Sequence, residues 1–137
     1  MRIRLRPATL EDARTLYEWR MDPETRKASW NSDAFSFESH VDWLKKSLAT
    51  PDRKLAIAPE GTVRLDRRAE GWEIHVTVAP EHRGAGVGTR LIQAGCELVQ
   101  EDVFASIRPE NVRSVKAFER AGFVPYQTDL WVFRRET

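Results

Sequence analysis

Hydrophobic residues recur every three or four positions in four parts of the chain, which is the spacing of one face of an α-helix. The longest of these stripes begins at Val87 and ends at Val99. Residues that commonly cap helices precede the other three, with Thr9 before the first, Ser36 before the second and Asn111 before the last. The spacing therefore predicts four helices, over residues 9–20, 36–50, 87–99 and 111–121.

Apolar and polar residues alternate between these stripes, as they do in strands with one buried face. The longest alternation lies between Gly71 and Pro80, and turn residues at 59–61 and 69–71 place it after a hairpin. Strands are predicted at residues 3–5, 55–57, 63–65, 72–78, 103–107 and 130–133, and an irregular stretch at 21–35. This order of elements predicts a mixed α+β fold instead of a doubly wound sheet. Gly95, inside the third stripe, predicts that this helix packs closely on the sheet.

The composition is typical of one globular domain covering residues 1–137, with 41% apolar and 31% charged residues. A net charge of +1 and the lack of a long apolar run argue against nucleic acid and membranes as partners. The single cysteine excludes an intrachain disulfide, and the three histidines show no spacing that would pair them as metal ligands. We therefore expect a cytoplasmic protein without a bound metal.

A glycine-rich segment, Arg83 to Thr89, lies between the longest predicted strand and the third predicted helix. Its glycines at positions 84, 86 and 88 leave backbone N–H groups open at a helix N-terminus, where an anion is favoured. Thr89-Arg90 stands where a nucleotide-hydrolysing loop needs Lys-Ser/Thr, and Thr89 replaces the third glycine of the dinucleotide motif. The segment predicts a phosphate site of another class, and a turn that only starts the helix is the alternative.

Residues 76–88, from Val76 through Pro80 and Arg83 to Gly88, resemble the acyl-CoA-binding motif of the GNAT superfamily of N-acetyltransferases, V-x-P-x-x-R/Q-x-x-G-x-G/A. Residues 111–123 are similar to the second motif of that superfamily, N-x-x-S/A-x-x-x-Y/F-x-x-x-G-F. The resemblance implies a mixed, mostly antiparallel sheet flanked by about four helices, with a splayed strand at the cofactor site. It also implies acetyl-CoA as co-substrate and an N-acetyltransferase activity.

The resemblance assigns parts of the chain to parts of coenzyme A. Residues 76–78 are expected at the pantetheine arm and residues 84–89 at the pyrophosphate, while a backbone N–H near Val78 is expected to stabilise the oxyanion. The 3′-phosphate is expected to meet one of four basic residues, Arg83, Arg90, Arg113 or Lys116. The implied cofactor contacts are Val76, Thr77, Val78, Arg83, Gly84, Ala85, Gly86, Val87, Gly88, Thr89, Asn111 and Ser114.

Acetyl transfer to an amine needs a base, because an alkylamine with a pKa near about 10.4 is almost entirely protonated at neutral pH. Glu73 and His75 are the candidates, since alternation puts both on one strand face just before the expected thioester. A solvent-facing pair without a catalytic role is the alternative. Many family members carry a tyrosine where this chain has Phe118, so water or Tyr126 is expected to protonate the leaving thiolate if an acid is used. The predicted catalytic positions are Glu73, His75 and Val78.

The part of the chain from Trp19 to Trp43 resembles the N-terminal part of the pseudaminic-acid-pathway N-acetyltransferases. That resemblance implies a nucleotide-linked amino sugar as acceptor, and Trp19, Arg20, Trp30 and Asn31 are predicted to bind it. Tryptophans at these positions are equally typical of a packed core. Acetylation of a protein N-terminus or of a polyamine stays open, as do a noncatalytic acyl-CoA-binding module and a homodimer.

Overall fold

The computed structural model describes residues 2–28 and 34–135, which form a seven-stranded sheet with helices on both faces. The strands are β1 (Arg6–Pro7), β2 (Arg53–Ala58), β3 (Gly61–Arg68), β4 (Gly71–Val78), β5 (Val103–Ser106), β6 (Val124–Gln127) and β7 (Leu130–Phe133). The helices are α1 (Ala13–Met21), α2 (Pro23–Ala28), α3 (Phe37–Ala49), α4 (Val87–Cys96) and α5 (Val112–Arg120). Single 3₁₀ turns lie at Leu10–Asp12 and Pro80–His82.

The sheet has the strand order β1-β2-β3-β4-β5-β7-β6, and its neighbours are antiparallel except for β4 and β5. Those two parallel strands pair only where they begin, at Trp72 with Val103 and at Glu73 with Phe104. Past this point β4 continues to Val78 while β5 ends at Ser106, so the sheet opens between them. The predicted fold class, a mostly antiparallel mixed sheet with a splayed strand, is confirmed.

Each face of the sheet carries its own core. On one face α4 and α5 cover the larger cluster, which includes Val63, Ile74 and Leu91. A Cβ added at Gly95 would lie 2.8 Å from Val63 and 2.9 Å from Ile74, which confirms that α4 packs closely on the sheet. On the other face α1 and α3 cover a smaller cluster of buried residues: Ala8, Ala13, Leu16, Trp19, Leu44, Ile57 and Ala79.

The strand predicted at residues 3–5 is wrong, because the pairing lies at Arg6–Pro7 instead. Proline is tolerated there because β1 is an edge strand, where the missing N–H breaks no ladder. Ala8 then donates its N–H to the carbonyl of Leu55, which extends the contact with β2. Ile3 is buried in the larger core although it is not part of a strand. The alternation of apolar and polar residues at 3–5 therefore reflected burial and not strand pairing.

Two further elements were absent from the sequence prediction. Helix α2 lies in the stretch expected to be irregular; Pro23 is its first residue, and the carboxylate of Asp22 accepts a hydrogen bond from the N–H of Thr25 at 3.2 Å. Strand β6 is exposed along its whole length and so shows no alternation. The described residues therefore hold five α-helices where about four were expected.

Candidate active site

A cleft of about 670 Å³ opens between α4, α5 and the free end of β4. The splay described above creates it, because β4 past Glu73 has no partner on the β5 side. All twelve predicted cofactor contacts line this cleft: Val76, Thr77, Val78, Arg83, Gly84, Ala85, Gly86, Val87, Gly88, Thr89, Asn111 and Ser114. The fold thus gathers three separate stretches of sequence around one space.

The glycine-rich segment has a left-handed backbone at three consecutive residues, with φ of 93° at Gly84, 53° at Ala85 and 75° at Gly86. Glycine adopts this conformation at little cost, whereas Ala85 adopts it against a steric penalty. A Cβ at Gly84 would meet nothing within 4 Å, and at Gly86 only the Arg90 guanidinium at 3.8 Å. Glycine at these two positions therefore allows the left-handed backbone and leaves the cleft open. It is not required by close packing, because no protein atom crowds either position.

The N-terminus of α4 faces the same cleft. Gly86 is the residue before the helix, and no side chain caps it. The N–H groups of Gly88 and Thr89 belong to the first turn and have no partner inside the helix. Four basic residues and one acidic residue, Glu24, stand around the cleft, and the basic ones are Arg83, Arg113, Lys116 and Arg120. Helix dipole and side-chain charge therefore both favour an anion here.

Arg83 lines the cleft but its guanidinium is already engaged by the junction of α1 and α2. It forms an ion pair with Asp22, donates to the Thr25 hydroxyl at 3.2 Å and lies 3.4 Å from a Glu24 carboxylate oxygen. The hydrogen bond from Arg83 lowers the pKa of Asp22. Arg90 donates to the Ala85 carbonyl at 2.9 Å and lies outside the cleft wall. Of the four basic residues expected at the 3′-phosphate, Arg113 and Lys116 are therefore the better placed.

Helix α5 supplies the opposite wall. The side chain of Asn111 accepts a hydrogen bond from the N–H of Ser114 at 3.3 Å, so it caps the helix as predicted. Phe118 lies in the wall and packs edge-to-face on Phe123, with ring centroids 5.0 Å apart. Tyr126, the alternative acid, is on β6 beside Phe104 and does not line the cleft. Phe118 has no hydroxyl and Tyr126 does not line the cleft, so neither residue supplies an acid for the thiolate there.

The two candidate bases lie on the opposite face of β4, under α1 and α3. His75 Nε2 is 3.4 Å from Glu73 Oε2 and 3.7 Å from Asp66 Oδ2. Glu73 accepts hydrogen bonds from Arg68 at 2.8 and 3.1 Å. Burial, followed by the charge of Arg64, lowers the pKa of His75 to about 4, so its imidazole is neutral at pH 7. Neither Glu73 nor His75 lines the cofactor cleft.

A second, much smaller cavity of about 50 Å³ lies on that face. Its walls come from α1, α3 and strands β2, β3 and β4: Leu16, Trp19, Arg20, His40, Trp43, Leu55, Thr62, Arg64, His75 and Thr77. Thr77 lines both the cavity and the cofactor cleft, so the two spaces share this wall residue near the end of β4. We refer to this space as the α1–α3 cavity.

The α1–α3 cavity brings together residues that were predicted for different roles. His75, a predicted base, shares it with Trp19 and Arg20, which were predicted to bind the acceptor. Trp19 is only 8% exposed and packs in the smaller core, as its alternative interpretation as a core residue predicts. Trp30 and Asn31, the other two predicted acceptor contacts, lie outside the described residues.

The sequence prediction gave no site role to six residues of this cavity, among them His40, Trp43 and Arg64. His40 sits on the apolar stripe of α3 between Phe37 and Leu44, and a polar residue at such a position is a detectable signal. Arg64 alternates with Val63 and Leu65, both completely buried in the larger core, so its side chain must face the other side of the sheet.

Residues 2–28 and 34–135 contain no group of His, Cys, Asp and Glu side chains arranged to hold a metal ion. Within the same ranges, every helix is too short or too polar to cross a membrane.

Two comparisons place the sequence among known proteins. The family model "Acetyltransferase (GNAT) domain" matches residues 2–124. A mycothiol acetyltransferase of Stackebrandtia nassauensis is 29% identical over 78% of this chain. The match covers 43% of that relative, so this chain spans less than half of its length.

Solved structures share the fold. The aminoglycoside acetyltransferase AAC(6')-Ib, in complex with ribostamycin and coenzyme A, superposes with a TM-score of 0.83 at 22% identity, covering 98% of this chain and 94% of that one. A spermidine N-acetyltransferase from Vibrio cholerae, in complex with CoA and spermine, gives a TM-score of 0.82 at 19% identity. That match covers 92% of this chain and 83% of the other.

Proposed function

This chain belongs to the GNAT acetyltransferase family, and we propose that it is a single acyltransferase domain that transfers the acetyl group of acetyl-CoA to a primary amine. The observation that carries the proposal is that Thr77 lines two spaces on opposite faces of β4. On one side of β4 lies the large cleft, where the glycine-rich segment and the N-terminus of α4 favour an anion, and on the other lies a small cavity lined in part by arginine and histidine side chains. A donor and an acceptor can therefore approach one point from opposite faces of the sheet.

The cofactor side fits coenzyme A in size and in charge. The left-handed backbone at 84–86 and the first turn of α4 hold the pyrophosphate with N–H groups. Residues 76–78 offer unpaired backbone groups on the β5 side to the amides of the pantetheine arm. Arg113 and Lys116 line the cleft, and in this proposal they bind the 3′-phosphate. When bound, acetyl-CoA supplies a thioester as the acetyl donor.

The transfer forms one bond and breaks another. The uncharged amine nitrogen bonds to the thioester carbon, the carbon–sulfur bond breaks, and coenzyme A leaves as a thiolate. The N–H of Val78 stabilises the negative charge on the carbonyl oxygen, and His75 with Glu73 receives the proton of the amine through water. With Phe118 in place of a tyrosine, the thiolate takes its proton from water; leaving without an acid costs about 2 kcal/mol for a thiol pKa near 8.5.

A nucleotide-linked sugar as acceptor stays a prediction. The names of the relatives above point to mycothiol, aminoglycosides and spermine, and none of them supports a nucleotide-linked sugar. Two of its four expected contacts, Trp30 and Asn31, lie outside the described residues. Trp19 and Arg20 face a cavity of about 50 Å³, which is too small for a sugar ring.

Calorimetry with acetyl-CoA, followed by thiol-release assays on a panel of primary amines, tests the proposal. We expect saturable binding and turnover. The substitutions Glu73→Gln and His75→Gln should lower kcat by about 100-fold and leave the Kd of acetyl-CoA unchanged. Glu70→Gln, an exposed carboxylate in the turn before β4, is the matched control and should behave as the parent.

The outcomes separate three possibilities. Binding and turnover support the enzyme. Binding without turnover on any amine would support the noncatalytic acyl-CoA-binding module instead. The absence of acetyl-CoA binding would contradict the assignment of the cleft.

A further inference from the structure

The α1–α3 cavity contains several polar nitrogen atoms without hydrogen-bond partners. His40 Nε2, Arg64 Nε and His75 Nε2 are buried and none forms a hydrogen bond, although His75 Nε2 lies 3.4 Å from Glu73 Oε2. His40 is only 3% exposed, so water outside the protein does not satisfy it. Arg64 Nε lies 3.3 Å from Asp66 Oδ2 but forms no hydrogen bond with it. Buried polar groups are seldom left unpaired, and three around one small cavity indicate a ligand.

Positive charge exceeds negative charge around this cavity. Asp66 is 3% exposed and lies within 4 Å of three arginines: Arg53 at 2.6 Å, Arg64 at 3.3 Å and Arg68 at 3.8 Å. Burial acts to raise the pKa of Asp66, but the hydrogen bond from Arg53 and the charge of Arg64 outweigh it, so this carboxylate is ionised. Glu73 forms an ion pair with Arg68, with a nitrogen–oxygen distance of 2.8 Å. Asp66 and Glu73 therefore already form ion pairs with these arginines.

Arg20 adds a further cation. It forms no ion pair or hydrogen bond with any residue in 2–28 or 34–135, and its guanidinium carbon lies 5.7 Å from the centre of the Phe35 ring. Burial lowers the pKa of Arg20, although a guanidinium stays charged at neutral pH. An arginine that is partly buried without an anion is costly unless an anion comes from outside.

We propose that the α1–α3 cavity binds a carboxylate carried by the acceptor, so that the acceptor is a small amino acid-like molecule with both an amine and a carboxylate. This inference rests on the proposed function. Guanidinium N–H groups match a carboxylate in geometry and charge. A water needs about 10–15 Å³, so 50 Å³ has room for roughly three or four groups of that size, as a carboxylate requires.

The position of the cavity fits this orientation of the acceptor. Because Thr77 is a wall of both spaces, a carboxylate between Arg20 and Arg64 leaves the rest of the molecule to point along β4 toward the cleft. A polyamine would instead place a cationic nitrogen beside two arginines, which is unfavourable. The charges around this cavity thus argue against a polyamine such as spermine as the acceptor of this chain.

A binding experiment tests the cavity without turnover. The full chain, labelled with [¹⁵N]arginine, is titrated with acetate, with acetamide as the neutral isostere and with inorganic phosphate as a larger anion. We expect acetate to shift the Nε resonances of Arg20 and Arg64 saturably, and acetamide and phosphate to leave them in place. Arg20→Gln should weaken acetate binding at least tenfold, Arg20→Lys less, and Arg4→Gln, an exposed control, not at all.

Equal shifts with acetate and acetamide would overturn the proposal, as would equal acetate affinity in Arg20→Gln and the parent. A response to phosphate alone would overturn the carboxylate assignment as well.

Matched acceptors test the same point in turnover. Glycine and β-alanine are compared with glycinamide and β-alaninamide by thiol release. We expect kcat/KM at least tenfold higher for the carboxylates, and Arg20→Gln to raise KM for the carboxylates while KM for the amides stays constant. Equal kcat/KM for both members of each pair would overturn the proposal.

The calorimetric Kd of acetyl-CoA separates this inference from the proposed function. If acetyl-CoA fails to bind while acetate binds, the proposed function fails and the proposed acceptor fails with it. If acetyl-CoA binds and acetate does not, only the assignment of the α1–α3 cavity is overturned.

Discussion

The cofactor cleft and the α1–α3 cavity lie on opposite faces of one strand and are built in different ways. The cleft uses mainly the backbone of two continuous stretches, 76–78 and 84–89, together with the N-terminus of α4. The cavity uses side chains from two helices and three strands, and two of them, Arg20 and Arg64, are charged. Main-chain groups bind the same ligand whatever the neighbouring side chains are, whereas a side-chain site changes with each substitution. The donor is therefore fixed by backbone shape, and the acceptor by individual residues.

The largest difference between the two sites is expected from a substitution that disturbs only the left-handed backbone at residues 84–86 of the cofactor cleft. Gly86 has φ of 75°, and a β-branched side chain there is strained and projects into the cleft. Gly86→Val should raise the Kd of acetyl-CoA by about 100-fold or more, equivalent to about 2.7 kcal/mol, as measured by calorimetry. Acetate binding in the α1–α3 cavity should not change.

Gly122→Val is the matched control for this substitution. Gly122 also has a left-handed backbone, with φ of 103°, and its nearest neighbour is the Phe133 ring, away from the cleft. The control should lose stability to denaturant and keep the parent Kd for acetyl-CoA. An unchanged Kd of acetyl-CoA in Gly86→Val would show that the backbone at residues 84–86 does not hold the pyrophosphate.

The cleft could be predicted from sequence because its parts are local. Glycines at 84, 86 and 88 follow a strand and open a helix, and both signals lie within one continuous window. Asn111 was equally visible as a helix cap ahead of an apolar stripe. Every predicted cofactor contact therefore lines the same cleft. The resemblance to a known motif supplied the ligand, which the glycines alone did not identify.

The cavity could be predicted only in part, because it depends on which distant segments meet. Alternation along β4 placed Glu73 and His75 on one face, but it did not show that Arg64 pairs with His75 in the next strand. Nor did it show that His40 of α3 covers them. The wrong strand at residues 3–5 has a related cause, since the pattern records burial and not pairing. Partners that are far apart in sequence leave no local signal.

Asp22 links the two regions and offers a smaller test. It holds Arg83 at the edge of the cleft and does not line the α1–α3 cavity. Asp22→Asn removes a negative charge beside a site for a polyanion and frees Arg83. We expect the Kd of acetyl-CoA to fall by roughly threefold at low salt, and the gain to shrink as salt screens it. The KM of the acceptor should stay constant.

Glu18→Gln, an exposed carboxylate on α1, is the control for that substitution and should change the Kd less. Weaker binding of acetyl-CoA to Asp22→Asn would instead mean that Asp22 orients Arg83 for the ligand.

The smallest expected effect concerns His75 and the stability of the fold. Burial, with Arg64, lowers its folded-state pKa to about 4 from an ordinary value of 6.5, so between these pH values the unfolded chain binds more protons than the folded chain. The contribution of the neutral imidazole is therefore complete above pH 6.5 and is lost as the pH falls toward 4. Because the side chain is 37% exposed, solvent screening limits this contribution to about 1 kcal/mol.

Urea unfolding at pH 7, 5.5 and 4.5 should show a shallower loss in His75→Gln than in the parent, while His82→Gln, an exposed histidine, matches the parent. An equal loss in His75→Gln and the parent would show that the imidazole is not held neutral, and would weaken its assignment as the base beside the acceptor.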